Sequence, residues 1–272
     1  MLNIRKTSYG GVLVTVLEAR SDARHEVVLT VMGDKFSTSS KKLLPDFHDL
    51  NLESQGFTRF GLVNGGLFFK ENSVTYAEGI EQVNGVIHEN DDANLDSCMA
   101  FYIQNGMPYI VPQLYAKSKL SQSKGALTGA FGLLNNEVID TRGRLQRSAI
   151  FNAKSGRSIV GKKADGTIVL ASFPGVTGSS GLTGMETANL AKSLGMNNAV
   201  CMDGGGSVGM FTDKWEVQSS RPIKNAVGLF YKNKLSVGDK VSLSDTVESI
   251  NGNLVKLKSL GITVDITKVT EE

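Results

Sequence analysis

A carboxylate followed by three glycines is the part of this sequence best suited to chemistry. Asp203-Gly204-Gly205-Gly206-Ser207 follows the apolar run 198–202, which predicts a short buried strand. Glycines after a strand let successive backbone N–H groups point into one concavity, a nest that binds a phosphate oxygen. A carboxylate fixed beside an anion site is what cleavage of a sugar phosphate requires. The same residues also fit a simple glycine-rich turn in which Asp203 bonds its own backbone.

Two other motifs overlap the glycine run, and the surrounding sequence argues against both. Residues 204–209 fit the dinucleotide pattern G-x-G-x-x-G, which needs a helix to begin at the glycines, whereas residues 210–215 predict a strand and a turn. The same run contains the nucleophile-elbow pattern G-x-S-x-G around Ser207, which needs a later helix and a later histidine. All three histidines precede it, at His25, His48 and His88.

A second carboxylate, Glu186, opens the strongest predicted helix after residue 60, which spans 184–194. Thr183 and Glu186 have the spacing of a capping box, and Gly195 stands where a C-terminal glycine belongs. Glu186 is therefore either a helix cap alone or a catalytic or substrate-orienting carboxylate.

Two arginines and one polar turn are further candidates. Arg147 precedes Ser148-Ala149-Ile150, predicted as part of a buried strand, and Arg221 precedes Pro222. A guanidinium binds phosphate bidentately, so either arginine could clamp an anion, or each could be a solvated surface residue. Asn64-Gly65-Gly66 follows the predicted strand 60–63 and is either a turn or part of the site.

Five segments together resemble the phosphodiester glycosidase family over roughly residues 60–231. They are Asn64-Gly65-Gly66-Leu67-Phe68, Arg147-Ser148-Ala149-Ile150, Thr183-x-x-Glu186-x-Ala188, Asp203-Gly204-Gly205-Gly206-Ser207 and Arg221-Pro222-x-x-Asn225-Ala226. The resemblance implies hydrolysis of the anomeric C–O bond of a sugar-1-phosphodiester, giving sugar and a phosphomonoester. It implies Asp203 and Glu186 as catalytic residues. It implies substrate contacts from Asn64, Gly65, Gly66, Arg147, Ser148, Thr183, Gly204, Gly205, Gly206, Ser207 and Arg221.

The sequence predicts that these residues are positioned by a mixed α/β (α+β) fold, with a strand-rich mixed sheet and few helices. Residues 11–32 predict two strands in hairpin-like order, and the other predicted strands include 99–104, 108–115, 148–152, 157–161 and 167–172. We predict a catalytic domain over 1–231 and a small β-rich appendage over 232–272, with Asn251-Gly252 as a hairpin turn. The appendage is a candidate docking module for an assembly partner.

Composition limits the remaining classes. The 272 residues carry a net charge of +2 without a dense basic block, which argues against a nucleic-acid partner. No apolar run approaches the roughly 18 residues of a membrane span, and no secretory signal is visible. No histidine or cysteine spacing predicts a metal site, no cofactor is expected, and Cys98 and Cys201 are expected to be buried free thiols.

Location and biology follow from these limits as expectations. The chain is expected to be cytoplasmic as synthesised. It is expected to act either while carried on a virion or after release by lysis. Phosphodiester-linked wall glycans would then be its substrates. The alternatives are a non-catalytic carbohydrate- or phosphate-binding protein and a phage tail-associated structural protein.

Overall fold

A computed structural model of the chain describes residues 1–34, 41–72, 74–90 and 98–234. Met1–Lys232 form one compact unit. The predicted appendage, including Asn251-Gly252, lies outside the described residues except for 232–234. The boundary at 231 therefore stays a prediction.

The described part of the chain is dominated by strands. In chain order they are β1 (Leu2–Tyr9), β2 (Val12–Ala19), β3 (His25–Gly33), β4 (Thr58–Asn64), β5 (Phe68–Glu71), β6 (Val74–Ala77), β7 (Ile80–Val83), β8 (Val86–Asn90), β9 (Met99–Gln104), β10 (Met107–Pro112), β11 (Gly125–Thr128), β12 (Phe131–Asn135), β13 (Val138–Ile139), β14 (Arg157–Lys162), β15 (Ile168–Phe173), β16 (Asn198–Cys201), β17 (Met210–Phe211), β18 (Trp215–Val217) and β19 (Asn225–Asn233). The α-helices are α1 (Leu50–Ser54), α2 (Gln113–Lys117), α3 (Arg142–Gln146), α4 (Ser148–Asn152) and α5 (Gly184–Ser193).

A seven-stranded antiparallel sheet, in the order β1-β2-β15-β14-β16-β12-β13, forms the centre of the molecule. Its inner strands are buried on both faces, which explains the nearly continuous apolar sequences of β2 and β15. Strand β14 differs, because it begins with the buried polar residues Arg157 and Ser158. On β14, Val160 packs into a cluster with Leu17 and Phe101, whereas Ile159 packs into a second cluster with Leu190 of α5. Burial of both faces also places the carboxyl end of β16, and hence Asp203, deep in the fold.

Two five-stranded sheets share the first of these clusters. Their orders are β10-β9-β11-β7-β8 and β18-β17-β4-β19-β3. The second of them brings the end of β4, at Asn64, and the beginning of β19, at Asn225, to the same place, because Ala226 pairs with Asn64. A separate two-stranded hairpin, β5-β6, follows directly after Asn64-Gly65-Gly66-Leu67.

The strand-rich fold with few helices is confirmed, and so is the predicted helix α5. Thr183 and Glu186 make both hydrogen bonds of a capping box, and Gly195 follows the helix with φ of +79°. This left-handed conformation suits glycine at a helix C-terminus. The two cysteines are buried free thiols, as predicted.

Three local predictions are wrong. Strands β2 and β3 exist, but they do not form a hairpin, since β2 pairs with β1 and β15 and β3 joins the sheet of β19. Residues 148–152 form helix α4 rather than a buried strand, and Ser148, Ala149 and Ile150 are exposed. A run of five residues is too short for periodicity to separate a strand from one helical turn. Residues 113–117 are likewise helix α2, beyond the end of β10.

Candidate active site

Asn64 is a buried junction between the sheets. Its side-chain amide donates to the backbone carbonyl of Asp203 at 2.8 Å. Its Oδ1 accepts the Gly209 N–H at 3.1 Å and the Ser158 hydroxyl at 2.6 Å. With no exposed surface and with these partners, Asn64 orients the Asp203 loop through its backbone.

Gly65 and Gly66 lie where backbones approach closely. The N–H of Asp203 donates to the carbonyl of Gly65 at 2.9 Å, and the Gly65 N–H donates to the Asn225 carbonyl at 2.9 Å. A Cβ on Gly65 would lie 2.0 Å from the Asn225 Oδ1, and one on Gly66 would lie 2.2 Å from the Thr128 carbonyl oxygen. Both glycines therefore serve contact between strands, and their predicted substrate role stays a proposal.

The Asp203 carboxylate meets Ser207 of its own loop and Arg221, which lies further along the chain. The Arg221 Nη2 lies 3.2 Å from the Asp203 Oδ2, and its Nε donates to the Ser207 hydroxyl at 2.9 Å. Burial raises the pKa of Asp203, against the opposing effects of the Ser207 hydrogen bond and the Arg221 charge. A buried carboxylate with a raised pKa beside an exposed cation is suited to acid–base or electrostatic catalysis.

The glycine run forms a smaller nest than the sequence analysis predicted. The Gly204 N–H donates to the Asp203 Oδ1 at 2.8 Å, which is the local turn bond of the alternative interpretation. The Gly205 N–H donates to the Gly156 carbonyl at 3.1 Å. Of the three glycine N–H groups, only that of Gly206 has no acceptor among the described residues. The prediction of three convergent N–H groups was wrong, because two of them, those of Gly204 and Gly205, donate to acceptors within the protein.

A cleft of about 640 Å³ lies beside this loop. Gly205 and Gly206 line it together with uncharged side chains, among them Thr177, Ser220 and Val208. Its volume is in the range of small-molecule sites. The loop from Asp203 to Ser207 therefore borders a cavity large enough for a substrate.

Arg147 and Ser148 occupy a different environment. Arg147 forms an ion pair with Glu78, the residue that follows β6, and its side chain is largely buried. Ser148 is exposed in the first turn of α4. Among the described contacts, neither residue touches the Asp203 loop, so Arg221 is the candidate arginine that the fold brings to Asp203.

Thr183 and Glu186 are engaged in capping α5. The Thr183 N–H and hydroxyl both donate to the Glu186 Oε2, at 2.8 Å and 2.9 Å. Because the Thr183 backbone and hydroxyl bonds favour the ionised form, the pKa of Glu186 is lowered. The capping function is therefore present, and a catalytic function of Glu186 stays a proposal.

Glu186→Gln separates the two functions of this residue. Glutamine also completes a capping box, so a residue that only caps should keep its thermal midpoint and nearly full turnover. A catalytic carboxylate should instead lose at least about a hundredfold in turnover on replacement by the neutral amide. From the complete cap, we expect near-normal turnover, measured with the melting curve of the same preparation.

Two residues near the site were not among the candidates. Arg157 is fully buried, and its guanidinium donates to the carbonyls of Leu182, Ile150 and Ala153 behind the glycine run. Phe68 lies under the Arg221 guanidinium, 5.2 Å from ring centroid to Cζ. A charged residue at the head of an apolar strand was the available signal for Arg157. For Phe68 the available signal was its place at the end of the segment Asn64-Gly65-Gly66-Leu67-Phe68, which carries part of the family resemblance.

The described ranges contain neither a metal-binding cluster nor a membrane-spanning helix. Within the described ranges, no group of three or more His, Cys, Asp or Glu side chains is placed to hold a metal ion. No helix there is both long and apolar enough to cross a bilayer.

Solved structures of other proteins share the fold of this chain. The catalytic domain of zebrafish N-acetylglucosamine-1-phosphodiester alpha-N-acetylglucosaminidase, in a form auto-inhibited by its pro-peptide, has a similar fold, with a TM-score of 0.63 at 16% identity over 84% of this chain and 81% of that chain. A hypothetical protein from Synechocystis gives a TM-score of 0.56 at 13% identity over 84% of this chain and 61% of that chain. At such identities, these structures show a shared fold.

Sequence comparison adds a bacterial relative and a family. The SPbeta prophage-derived uncharacterized protein YomE of Bacillus subtilis (strain 168) is 29% identical over 136 residues, 47% of this chain. The match spans only 21% of that relative's length. The profile of the phosphodiester glycosidases matches residues 59–230, which include every candidate site residue. The chain belongs to the phosphodiester glycosidase family.

Proposed function

We propose that this protein hydrolyses the anomeric C–O bond of a sugar-1-phosphodiester, releasing free sugar and a phosphomonoester. The observation that carries the proposal is the buried Asp203 carboxylate, which pairs with Arg221 and begins the loop whose Gly205 and Gly206 line a cleft. The zebrafish relative is named for an activity on N-acetylglucosamine-1-phosphodiester, a linkage of the same kind.

Each part of the site has a task in this reaction. Positive charge accumulates at the anomeric carbon in the oxocarbenium-like transition state, and the Asp203 carboxylate stabilises it. Negative charge stays on the phosphate, where Arg221 and the Gly206 N–H supply a cation and a donor. The neutral cleft lining offers room for the sugar.

One carboxylate is enough for this leaving group. The second pKa of a phosphomonoester is about 6, so its departing oxygen needs little help from a general acid. The leaving group of an ordinary glycoside is an alkoxide, which does need a carboxylic acid to protonate it. The engagement of Glu186 in capping is therefore compatible with the reaction.

The biological setting is a further part of the proposal. YomE is prophage-derived, which supports a bacteriophage setting for this chain. Phosphodiester-linked wall glycans would be the substrates there, reached from a virion or after lysis. Residues 232–272 would dock the enzyme to an assembly partner.

Hydrolysis in water enriched in heavy oxygen tests the reaction class. Attack at the anomeric carbon puts the label on the released sugar, and a chelator should leave the rate unchanged. A phosphodiesterase attacks phosphorus and would label the phosphomonoester, usually with the help of two metal ions. Label on the phosphate would overturn the proposal. Tight binding of glycosyl phosphodiesters without turnover would identify a binding protein instead.

A further inference from the structure

Arg221 is a half-exposed side chain that nevertheless has a defined orientation. Its side chain is 53% exposed, and exposed arginines ordinarily sample many rotamers. Here the Nε donates to the Ser207 hydroxyl, and the Nη2 reaches the Asp203 Oδ2. Within the described contacts, the rest of its N–H groups have no acceptor, so one edge of the guanidinium is available to an anion.

The Arg221 guanidinium lies over an aromatic ring. The Arg221 Cζ lies 5.2 Å from the centroid of Phe68, inside the range of a cation–π contact. The two hydrogen bonds engage only one edge of the guanidinium plane. A ring packed against the guanidinium opposes rotation of that plane about the Cδ–Nε bond.

Phe68 is itself anchored on both sides. Its ring packs against a buried cluster that contains Met32, Leu44 and Phe230. Its backbone begins β5, opposite Ala77 of β6, and the Glu78 N–H closes the hairpin by donating to the Leu67 carbonyl at 2.9 Å. The ring is therefore a rigid platform that connects the core to Arg221.

We infer that Phe68 is a positioning residue, which fixes the guanidinium plane of Arg221 so that its free edge faces the substrate phosphate. The inference rests on the proposed function, in which Arg221 binds that phosphate. Phe68 touches neither the phosphate nor the sugar. Its effect must therefore pass through Arg221 and must disappear when Arg221 is absent.

Phe68→Met tests the inference with a matched control one residue away. Methionine fills much of the same volume in the cluster but presents no aromatic face. Phe69 faces the opposite side of the hairpin, where it stacks on Tyr76, so Phe69→Met removes an aromatic ring from the same strand without touching Arg221. We expect Phe68→Met to raise KM and weaken binding of inorganic phosphate by about three- to thirtyfold, the range of a cation–π contact. Phe69→Met should change neither.

Two further variants exclude a merely structural effect. Phe68→Tyr keeps the aromatic face and should restore both values to nearly those of the original protein. In an Arg221→Met background, Phe68→Met should cause no additional loss of phosphate affinity, because the group it positions is gone. Thermal midpoints recorded for every variant show whether the protein has remained folded.

The outcomes separate this inference from the proposed function. If the original protein cleaves sugar-1-phosphodiesters and Phe68→Met equals Phe69→Met, the inference alone is wrong. A loss that persists in the Arg221→Met background would likewise overturn it. If the original protein neither binds phosphate nor cleaves any diester, the proposed function fails and the inference fails with it.

Discussion

Asp203→Asn should reduce turnover of a sugar-1-phosphodiester by at least about a hundredfold, the scale expected for loss of a catalytic carboxylate. The change is nearly isosteric, and the backbone bonds of Asp203 to Gly65 and Asn64 do not involve the carboxylate. The protein should therefore stay folded. Initial rates at saturating substrate, together with a melting curve, measure both expectations.

Asp213→Asn is a matched control for this variant. Asp213 is exposed in the turn between β17 and β18 and accepts a hydrogen bond from the Thr212 hydroxyl. Loss of the Asp213 carboxylate should leave turnover unchanged. An Asp203→Asn protein that retains most of its activity would remove Asp203 from the mechanism.

The pH profile gives a second test of Asp203. If the ionised carboxylate is the active form, the rate rises with pH through the pKa of Asp203. Burial raises that pKa above the ordinary value of 3.8, so the acid limb of the profile should have its midpoint above 3.8. This limb should be absent from the residual activity of Asp203→Asn.

Lys224→Met is expected to lower the free energy of unfolding by about 3–5 kcal/mol, as for other buried ion pairs that lose one partner. The Lys224 Nζ lies 3.0 Å from the Glu81 Oε2, and each side chain is only 1% exposed. Methionine would remove the lysine cation and leave the Glu81 carboxylate in the interior beside the His88 imidazole, whose Nδ1 lies 3.4 Å from the same oxygen. Chemical denaturation with two spectroscopic probes measures the loss.

The site should respond to the same substitution. Asn225 follows Lys224, donates to the Glu81 Oε1 at 2.7 Å, and accepts the Gly65 N–H that helps to place Asp203. Folded Lys224→Met protein should therefore show reduced turnover as well as reduced stability.

Two variants check the cause of the stability loss. Lys42→Met removes a lysine whose ion pair with Asp34 is well exposed, and it should cost less than about 1 kcal/mol. Adding Glu81→Gln to Lys224→Met removes the unpaired charge, and it should recover part of the stability. A Lys224→Met protein as stable as Lys42→Met would show that Glu81 is accommodated without its partner.

Local sequence patterns predicted the structure correctly where interactions between residues close in sequence, or burial of a whole strand, decide it. The helix of Thr183 and Glu186 was predictable because capping bonds and the C-terminal glycine involve residues within about one turn of each other. The buried strands β9 and β15 were predictable because both of their faces are covered, which demands a nearly continuous apolar run. Residues 148–152 were wrongly predicted as a buried strand because a run of five residues is too short to indicate both its conformation and its burial.

The sequence alone determined the strand-rich fold class, the family resemblance and the prominence of Asp203 with its glycines. Only the tertiary structure decided which arginine meets Asp203, and which glycine N–H is left for a ligand. Arg221 and Arg147 have the same chemistry and similarly ambiguous neighbours, but strand pairing brings one to Asp203 and the other to Glu78. The acceptor of the Gly205 N–H is the Gly156 carbonyl, distant along the chain. Such contacts depend on which strands lie side by side, and a one-dimensional pattern of residue types does not contain that information.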